Sequence, residues 1–372
     1  MQWPVPAGAR SFPRGRPDAG PGIAMILALE SSCDDTCAAV LDAQGRACSN
    51  VVSSQGVHDR FGGVVPEIAS RHHLELVNLV VEQALGEAGA TLSEIELVAA
   101  TRGPGLVGAL LVGFSTAKAL AAARELPFAP VDHLQGHVAA NFITPTRAGD
   151  GHAFEPPFVC LIASGGHTLL THVIAHDGFR VLGSTLDDAA GEAFDKGARM
   201  LGLGYPGGAA LEQLAEGGDP EAFAFPGARA ERAIGGKGTG RHTFEQSLEF
   251  SFAGLKTALL YRLRDMSARE IEVRAADLAA SYQAAIVDSL MARAERGLRE
   301  TGLDRLAVGG GVAANGELRR RLAELGATVH VPARELCTDN AAMIAAAAWF
   351  GERIEYPAYL GLDAYATGER PR

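Results

Sequence analysis

Two stretches of this sequence share one shape. Residues 25–46, MILALESSCDDTCAAVLDAQGR, and residues 158–178, FVCLIASGGHTLLTHVIAHDG, each read as an apolar strand, a small polar turn and a second apolar strand. In the first, the apolar runs 26–29 and 37–41 flank a turn containing Ser31, Ser32, Asp34 and Asp35. In the second, the turn is Ser164-Gly165-Gly166. The match is one of pattern rather than identity, and it points to an internal duplication with one unit per domain. A chain of 372 residues, 47% of them hydrophobic, can build two cores.

Strand and helix patterns alternate along the rest, which makes the chain α/β. Residues 67–89 have apolar positions at helical spacing. Residues 95–126 read as strand, glycine turn and long helix, and residues 127–143 as strand then helix. Turn formers crowd 144–157 and mark a linker. Two helices are predicted around GLGYPGG, a long amphipathic helix at 275–302, and strand, triple glycine and helix at 305–326. A short strand follows at 327–332, then a helix that starts near Thr338 or Asp339. Domains are expected at 25–155 and 156–337, with a tail from 352 to 372. Residues 1–24, rich in Pro, Gly and Arg, read as a disordered tail or an over-extended start rather than a signal peptide.

A formal charge of −11 means the surface as a whole does not advertise nucleic-acid binding. Any such contact needs a partner or a local basic patch, and the loop 226–245 offers Arg229, Arg232, Lys237 and Arg241. Equally, that loop could be a solvated one. Five cysteines without a CxxC pair suggest neither a disulfide framework nor a zinc ribbon, and favour a reducing, cytoplasmic setting. No apolar run is long enough to suggest a membrane span.

GPGLVG at 103–108 matches a dinucleotide-binding spacing, but Pro104 sits in the turn and no acidic strand end follows at the expected distance. It reads as a packing turn. SGGH, GGGVAAN and GLGYPGG are more telling as a set, since backbone N–H groups in such turns cradle anions. Any one of them alone is more often structural. DDAAGEAFDKGAR concentrates Asp187, Asp188, Glu192, Asp195 and Lys196. A solvated helix face is the ordinary explanation, yet the small residues between the charges bury it in part, and Asp195 could accept a ligand hydroxyl.

His133 and His137 stand four apart in VDHLQGH, on one face of a helix start. Most such pairs are coincidences. A metalloprotease would have Glu directly after the first histidine, whereas Leu134 and Gln135 fill the interior here. A third ligand is needed, and CTDNAA offers Asp339, which could equally be a helix N-cap. A carboxylate joining two imidazoles leaves open positions for substrate and suits iron or zinc.

Taken in order, LESSCDDT, GGVVPEIASR, TRGPGLVGALLVG, HLQGH, SGGHT, DDAAGEAFDKGARMLGLGYPGG, FSFAGLKT, GGVAAN and CTDNAAMIA resemble the TsaD (Gcp) family, the tRNA adenosine threonylcarbamoyltransferases, over about residues 25–350. The resemblance implies the actin-like, heat-shock-chaperone-like ATPase (ASKHA) fold, two related α/β domains with a ligand cleft between them. It also implies that the helix 338–351 returns to the first domain. It carries one divalent metal, Fe2+ or else Zn2+, onto His133, His137 and Asp339. It carries substrate contacts onto Ile162, Ala163, Ser164, Gly165, Gly166, Asp195, Gly208, Glu212 and Asn315, and a part in activity onto Asp34. CDDT stands where CDET is commoner, Gln135 replaces a common Glu, and the loop 226–245 is longer and more basic than the family pattern.

That family moves a threonylcarbamoyl group from threonylcarbamoyl-AMP to the N6 amine of the adenosine 3′ of the anticodon. It works on tRNA with a TsaB-like paralogue and a TsaE-like ATPase, and the first helices would be the docking surface. The rival readings are a carbamoyltransferase acting on a small molecule, a metal-dependent peptidase, and a nucleotide-driven chaperone or sugar kinase.

Overall fold

A computed structural model of the protein describes residues 25–61, 63–144, 154–226 and 247–367. The terminal segment 1–24, most of the expected linker, and Arg229, Arg232, Lys237 and Arg241 lie outside the described residues.

The duplication extends from a hairpin to a whole sheet. The first sheet holds β1 (Met25–Glu30), β2 (Asp35–Asp42), β3 (Ala47–Ser54), β4 (Leu97–Gly103) and β5 (Phe128–Asp132), in the order β3-β2-β1-β4-β5. The second holds β6 (Phe158–Ala163), β7 (Thr168–Ala175), β8 (Gly178–Ser184), β9 (Arg305–Gly309) and β10 (Thr328–His330), in the order β10-β9-β6-β7-β8. In each, three strands form an antiparallel meander, and two later strands add in parallel beside the first.

The helices are α1 (Pro66–Ala88), α2 (Val107–Ala123), α3 (His133–Ala139), α4 (Ala190–Met200), α5 (Gly207–Ala215), α6 (Ala253–Arg264), α7 (Ala268–Val273), α8 (Ala275–Thr301), α9 (Gly316–Ala323), α10 (Arg334–Cys337) and α11 (Ala341–Phe350). Successive side chains of β1 point to opposite faces, and both faces are buried. Leu27 and Leu29 pack with α1 and α2. Ile26 and Ala28 pack with α3 and α11 in a core that also takes Phe158, Cys160 and Ile162 from β6. The far face of the second sheet is covered by α4, α5, α6 and α8. The helices α3 and α11 thus sit between the two sheets.

Three local readings need correction. Both third meander strands, β3 and β8, were not expected, and neither was α6. The last long helix begins at Ala341, not at Thr338 or Asp339, because the Asn340 side chain takes the N-cap and accepts from the Met343 amide at 3.0 Å.

Candidate metal centre and ligand cleft

Asp132 ends β5 and caps α3, its Oδ1 accepting from the amides of Leu134 (2.9 Å) and Gln135 (3.2 Å). The cap fixes the helix start, so His133 and His137 project from one face with ring centroids 4.7 Å apart. Since Asn340 does the capping of α11, Asp339 is left to face the imidazoles. Its Oδ1 lies 3.4 Å from His137 Nε2 and 3.7 Å from His133 Nε2. One ligand atom from each of the three lies within 4.8 Å of the others.

His137 is fully buried, and neither ring nitrogen has a hydrogen-bond partner. The 3.4 Å approach of Asp339 is within ion-pair reach but off hydrogen-bond geometry. A buried imidazole left unbonded costs free energy unless something else satisfies it. Two imidazoles and a carboxylate converging on that point fit a divalent metal with open positions.

The ring of His133 is oriented from behind. Its Nδ1 lies 3.1 Å from Glu30 Oε2 and 3.2 Å from Ser32 Oγ. Glu30 is buried and also accepts from the Ser32 amide and the Thr101 hydroxyl. Donating Nδ1–H to a carboxylate fixes the ring so that Nε2 faces Asp339, where it can give its lone pair to a metal once it has lost its proton. Burial opposes charge on all three groups, but mutual attraction wins. His133 is raised to about 9 by Asp339 and Glu30, and both carboxyls are held below their usual range. Sequence reasoning missed Glu30; the available signal was a single charge closing an apolar strand.

Beside this cluster opens a cleft of about 850 Å3 lined from both sheets. The side of the first sheet contributes Asp34, Asp35, His133 and, from just before α11, Asp339; the side of the second contributes the turn from Ser164 to His167 with Asp195, Tyr205 and Gly311. Cβ atoms on Gly165 or Gly166 would project into open space, so these two glycines bring bare backbone to the cavity. The triple glycine serves a different purpose. A Cβ on Gly309 would lie 2.8 Å from the His137 carbonyl, and Gly310, at φ +86, abuts the Ala163 backbone. Two of the three glycines therefore let β9 close on the histidine helix and on β6, and only Gly311 lines the cleft.

The other substrate candidates divide. Asp195 lines the cleft and accepts from the Gly207 amide at 2.7 Å, tying α4 to the start of α5, where Gly208 lies. Ile162 and Ala163 are buried in β6 with their side chains in the two cores. Glu212 and Asn315 are bonded to one another at 3.2 Å, and Glu212 also accepts from the Gly316 amide at 2.8 Å. Asn315 caps α9 through the Leu318 amide and donates to Gln283. Gly208, Glu212 and Asn315 do not line the cleft wall itself. On the wall, Lys196 pairs with Asp188 and Glu192, each at 2.8 Å. Asp35 is pushed up to about 7, mainly by burial, and His167 down to about 4, again by burial.

The sequence profile of the family described as "TsaD: tRNA N6-adenosine threonylcarbamoyltransferase" matches residues 46–346. The chain belongs to the TsaD family. A TsaD relative from Clostridium perfringens (strain SM101 / Type A), named tRNA N6-adenosine threonylcarbamoyltransferase, is 47% identical over 331 residues, covering 88% of this chain and 92% of the relative. One of the same name from Pelobacter propionicus is 46% identical over 353 residues, covering 94% and 98%. Among solved structures, full-length HypF in a phosphate- and nucleotide-bound form aligns with a TM-score of 0.55 at 14% identity, over 94% of this chain and 57% of HypF. That likeness concerns the fold alone. This TsaD chain has the actin-like ATPase (ASKHA) fold, with its repeated sheets on either side of α3 and α11. No helix among the described residues is long and apolar enough to cross a membrane.

Proposed function

We propose that this protein transfers the threonylcarbamoyl group of threonylcarbamoyl-AMP to the N6 amine of the adenosine 3′ of the anticodon, in tRNAs that read codons beginning with A. The observation that carries this reading is the meeting, in one cleft, of a His-His-Asp cluster from the first sheet's side and a bare-backbone turn from the second's. The lobes on either side are residues 25–155 completed by 338–351, and residues 156–337. The family's relatives are named for this transfer, and nothing favours the peptidase or the small-molecule carbamoyltransferase.

An exocyclic adenine amine is a weak nucleophile, because its lone pair is delocalised into the ring, whereas AMP leaves readily. Positioning and charge stabilisation therefore matter more than a strong base. The amine nitrogen forms a bond to the carbamoyl carbon, the bond from that carbon to the phosphate oxygen breaks, and AMP departs with the electron pair. The proton lost from N6 passes to Asp34, a carboxylate that lines the cleft. Amides of the turn at residues 164–166 hold the AMP half, with Ile162 and Ala163 setting that turn from the strand. Asp195 takes a ligand hydroxyl, and Gly208 and Glu212 of α5 and Asn315 at the N-cap of α9 complete the contact set. A divalent metal held by His133, His137 and Asp339, Fe2+ or alternatively Zn2+, would supply Lewis acidity to a substrate oxygen. The target base lies in an anticodon loop and can be splayed into the cleft. With a net charge of −11, the chain engages tRNA alongside a TsaB-like paralogue and a TsaE-like ATPase in the cytoplasm.

The test is mass spectrometry of nucleosides from unmodified tRNA incubated with this protein, threonine, bicarbonate, ATP and the partner enzymes. Threonylcarbamoyladenosine is expected with the wild type and is expected to fall to background when the chain is omitted or carries His137→Ala. Equal product without the chain refutes the proposal.

A further inference from the structure

Residues 352–367 lie beyond the span that the family profile matches, yet they run back to the site. The segment leaves α11, and Ile354 pairs with Phe128 at the start of β5 through bonds of 3.0 and 2.9 Å. Tyr359 is buried against Phe128, with ring centroids 5.4 Å apart. Lys118 Nζ on α2 donates to the carbonyls of Leu360 (3.0 Å) and Leu362 (2.7 Å), and Arg102 donates to that of Asp363. The Tyr365 amide then donates to Arg102 O at 3.0 Å and the Thr367 amide to Gly105 O at 3.1 Å, which brings Thr367 to the cleft wall. This strap needs glycine at 103, where a Cβ would lie 2.9 Å from the Tyr365 ring.

We propose that Tyr365 is a positioning residue for the metal ligands, acting through the Asp132 carboxylate that caps their helix. This rests on the reading of His133, His137 and Asp339 as a metal site. The Tyr365 hydroxyl lies 2.6 Å from Asp132 Oδ2 and 3.0 Å from Gly103 O. The shorter contact has the length of a charge-assisted bond, so the phenol proton goes to the carboxylate. Asp132 Oδ1 is already committed to the amides of Leu134 and Gln135. With both oxygens occupied, the carboxylate has one orientation, and so does the first turn of α3. His133 is the next residue along. At seven residues, α3 is too short to be held by its own hydrogen bonds. The strap is seated independently by Tyr359 and Lys118, so the hydroxyl is not needed to keep it in place.

The experiment measures Zn2+ affinity of the full chain, stripped with chelator and titrated against a chromophoric zinc indicator. The variants are Tyr365→Phe, Asp132→Ser and the double, with His137→Ala as the reference for a lost ligand. Serine still caps a helix but cannot reach the phenol. Tyr365→Phe and Asp132→Ser are each expected to weaken Zn2+ binding about tenfold, with metal-free melting temperatures close to wild type. The double variant is expected to be no weaker than Asp132→Ser, because both changes break one bond. Wild-type affinity in Tyr365→Phe while His137→Ala loses Zn2+ overturns the proposal and leaves the metal reading standing, as do strictly additive losses. Equal affinity in wild type and His137→Ala overturns both. If Tyr365→Phe does not fold, Asp132→Ser decides alone: a tenfold loss supports the proposal, and wild-type affinity overturns it.

Discussion

Asp35 shows how one side chain in the cleft can be held at odds with stability. Burial, with the neighbouring carboxylates of Asp339, Asp34 and Glu30, raises its pKa to about 7 against the pull of a hydrogen bond from Ser54. The folded state therefore holds this proton more tightly than the unfolded chain does. Its stabilising contribution is complete below the ordinary carboxylate pKa and is lost as pH rises through about 7. Asp35→Asn removes the titration, so the variant should melt several degrees above wild type at pH 8, on the order of a few kcal/mol. The gap should close toward pH 4. A gap that does not change with pH, measured by thermal denaturation across that range, rules the account out. The neighbourhood that creates this strain was only partly legible. The histidine pair was visible because helical spacing puts positions four apart on one face. Glu30 was not, because what buries it comes from Thr101 and His133, which are 71 and 103 residues away.

At the scale of elements, the step from Asp339 to α11 decides whether the third ligand exists. From sequence alone, Asp339 reads as either a metal ligand or the helix N-cap. Asn340 wins because its side chain bonds both ways, accepting from the Met343 amide at 3.0 Å and donating to Thr338 O at 2.8 Å. Asn340→Ala should cost about 1 kcal/mol of stability and draw Asp339 into the capping role. Zn2+ affinity should then fall, while Asn340→Ser keeps both properties. An alanine variant that is less stable but binds Zn2+ as wild type does would sink this account. Elements buried on both faces were readable as apolar runs, as in β1, β4 and β6. The edge strands were not. In β3, ACSNVVSS, only two of eight residues are buried, and in β8 only one of seven. A strand covered on one face, with partners on one side, leaves little hydrophobic pattern in its sequence. The sheet order supplied what the pattern could not, since the second meander repeats the first.

For the molecule as a whole, the metal cluster and the glycine turn belong to different sheets, so their ligands should act on different regions. Two ligands come from α3 and the third from just before α11, and both helices pack in the core between the sheets. A metal that binds the folded state only stabilises it by mass action, about 2.7 kcal/mol at a hundredfold excess over its dissociation constant. Because α3 follows β5 and Asp339 lies some 200 residues later in the chain, that free energy is shared by segments distant in sequence. The turn at residues 164–167 faces α3 across the cleft, where the His133 and His167 rings stand 6.0 Å apart. Hydrogen exchange followed by mass spectrometry separates the two effects. Zn2+ alone should slow exchange across 133–139 and 338–345 and leave β7 and β8 unchanged. AMP added to the Zn2+-loaded protein should then slow exchange at 164–167 and at the start of α5, whose Gly207 amide is tied to Asp195. In the His137→Ala variant the first protection should vanish. If Zn2+ instead protects 164–167 as strongly as α3, or AMP protects only the metal helices, the cleft does not divide its labour between the two sheets in this way.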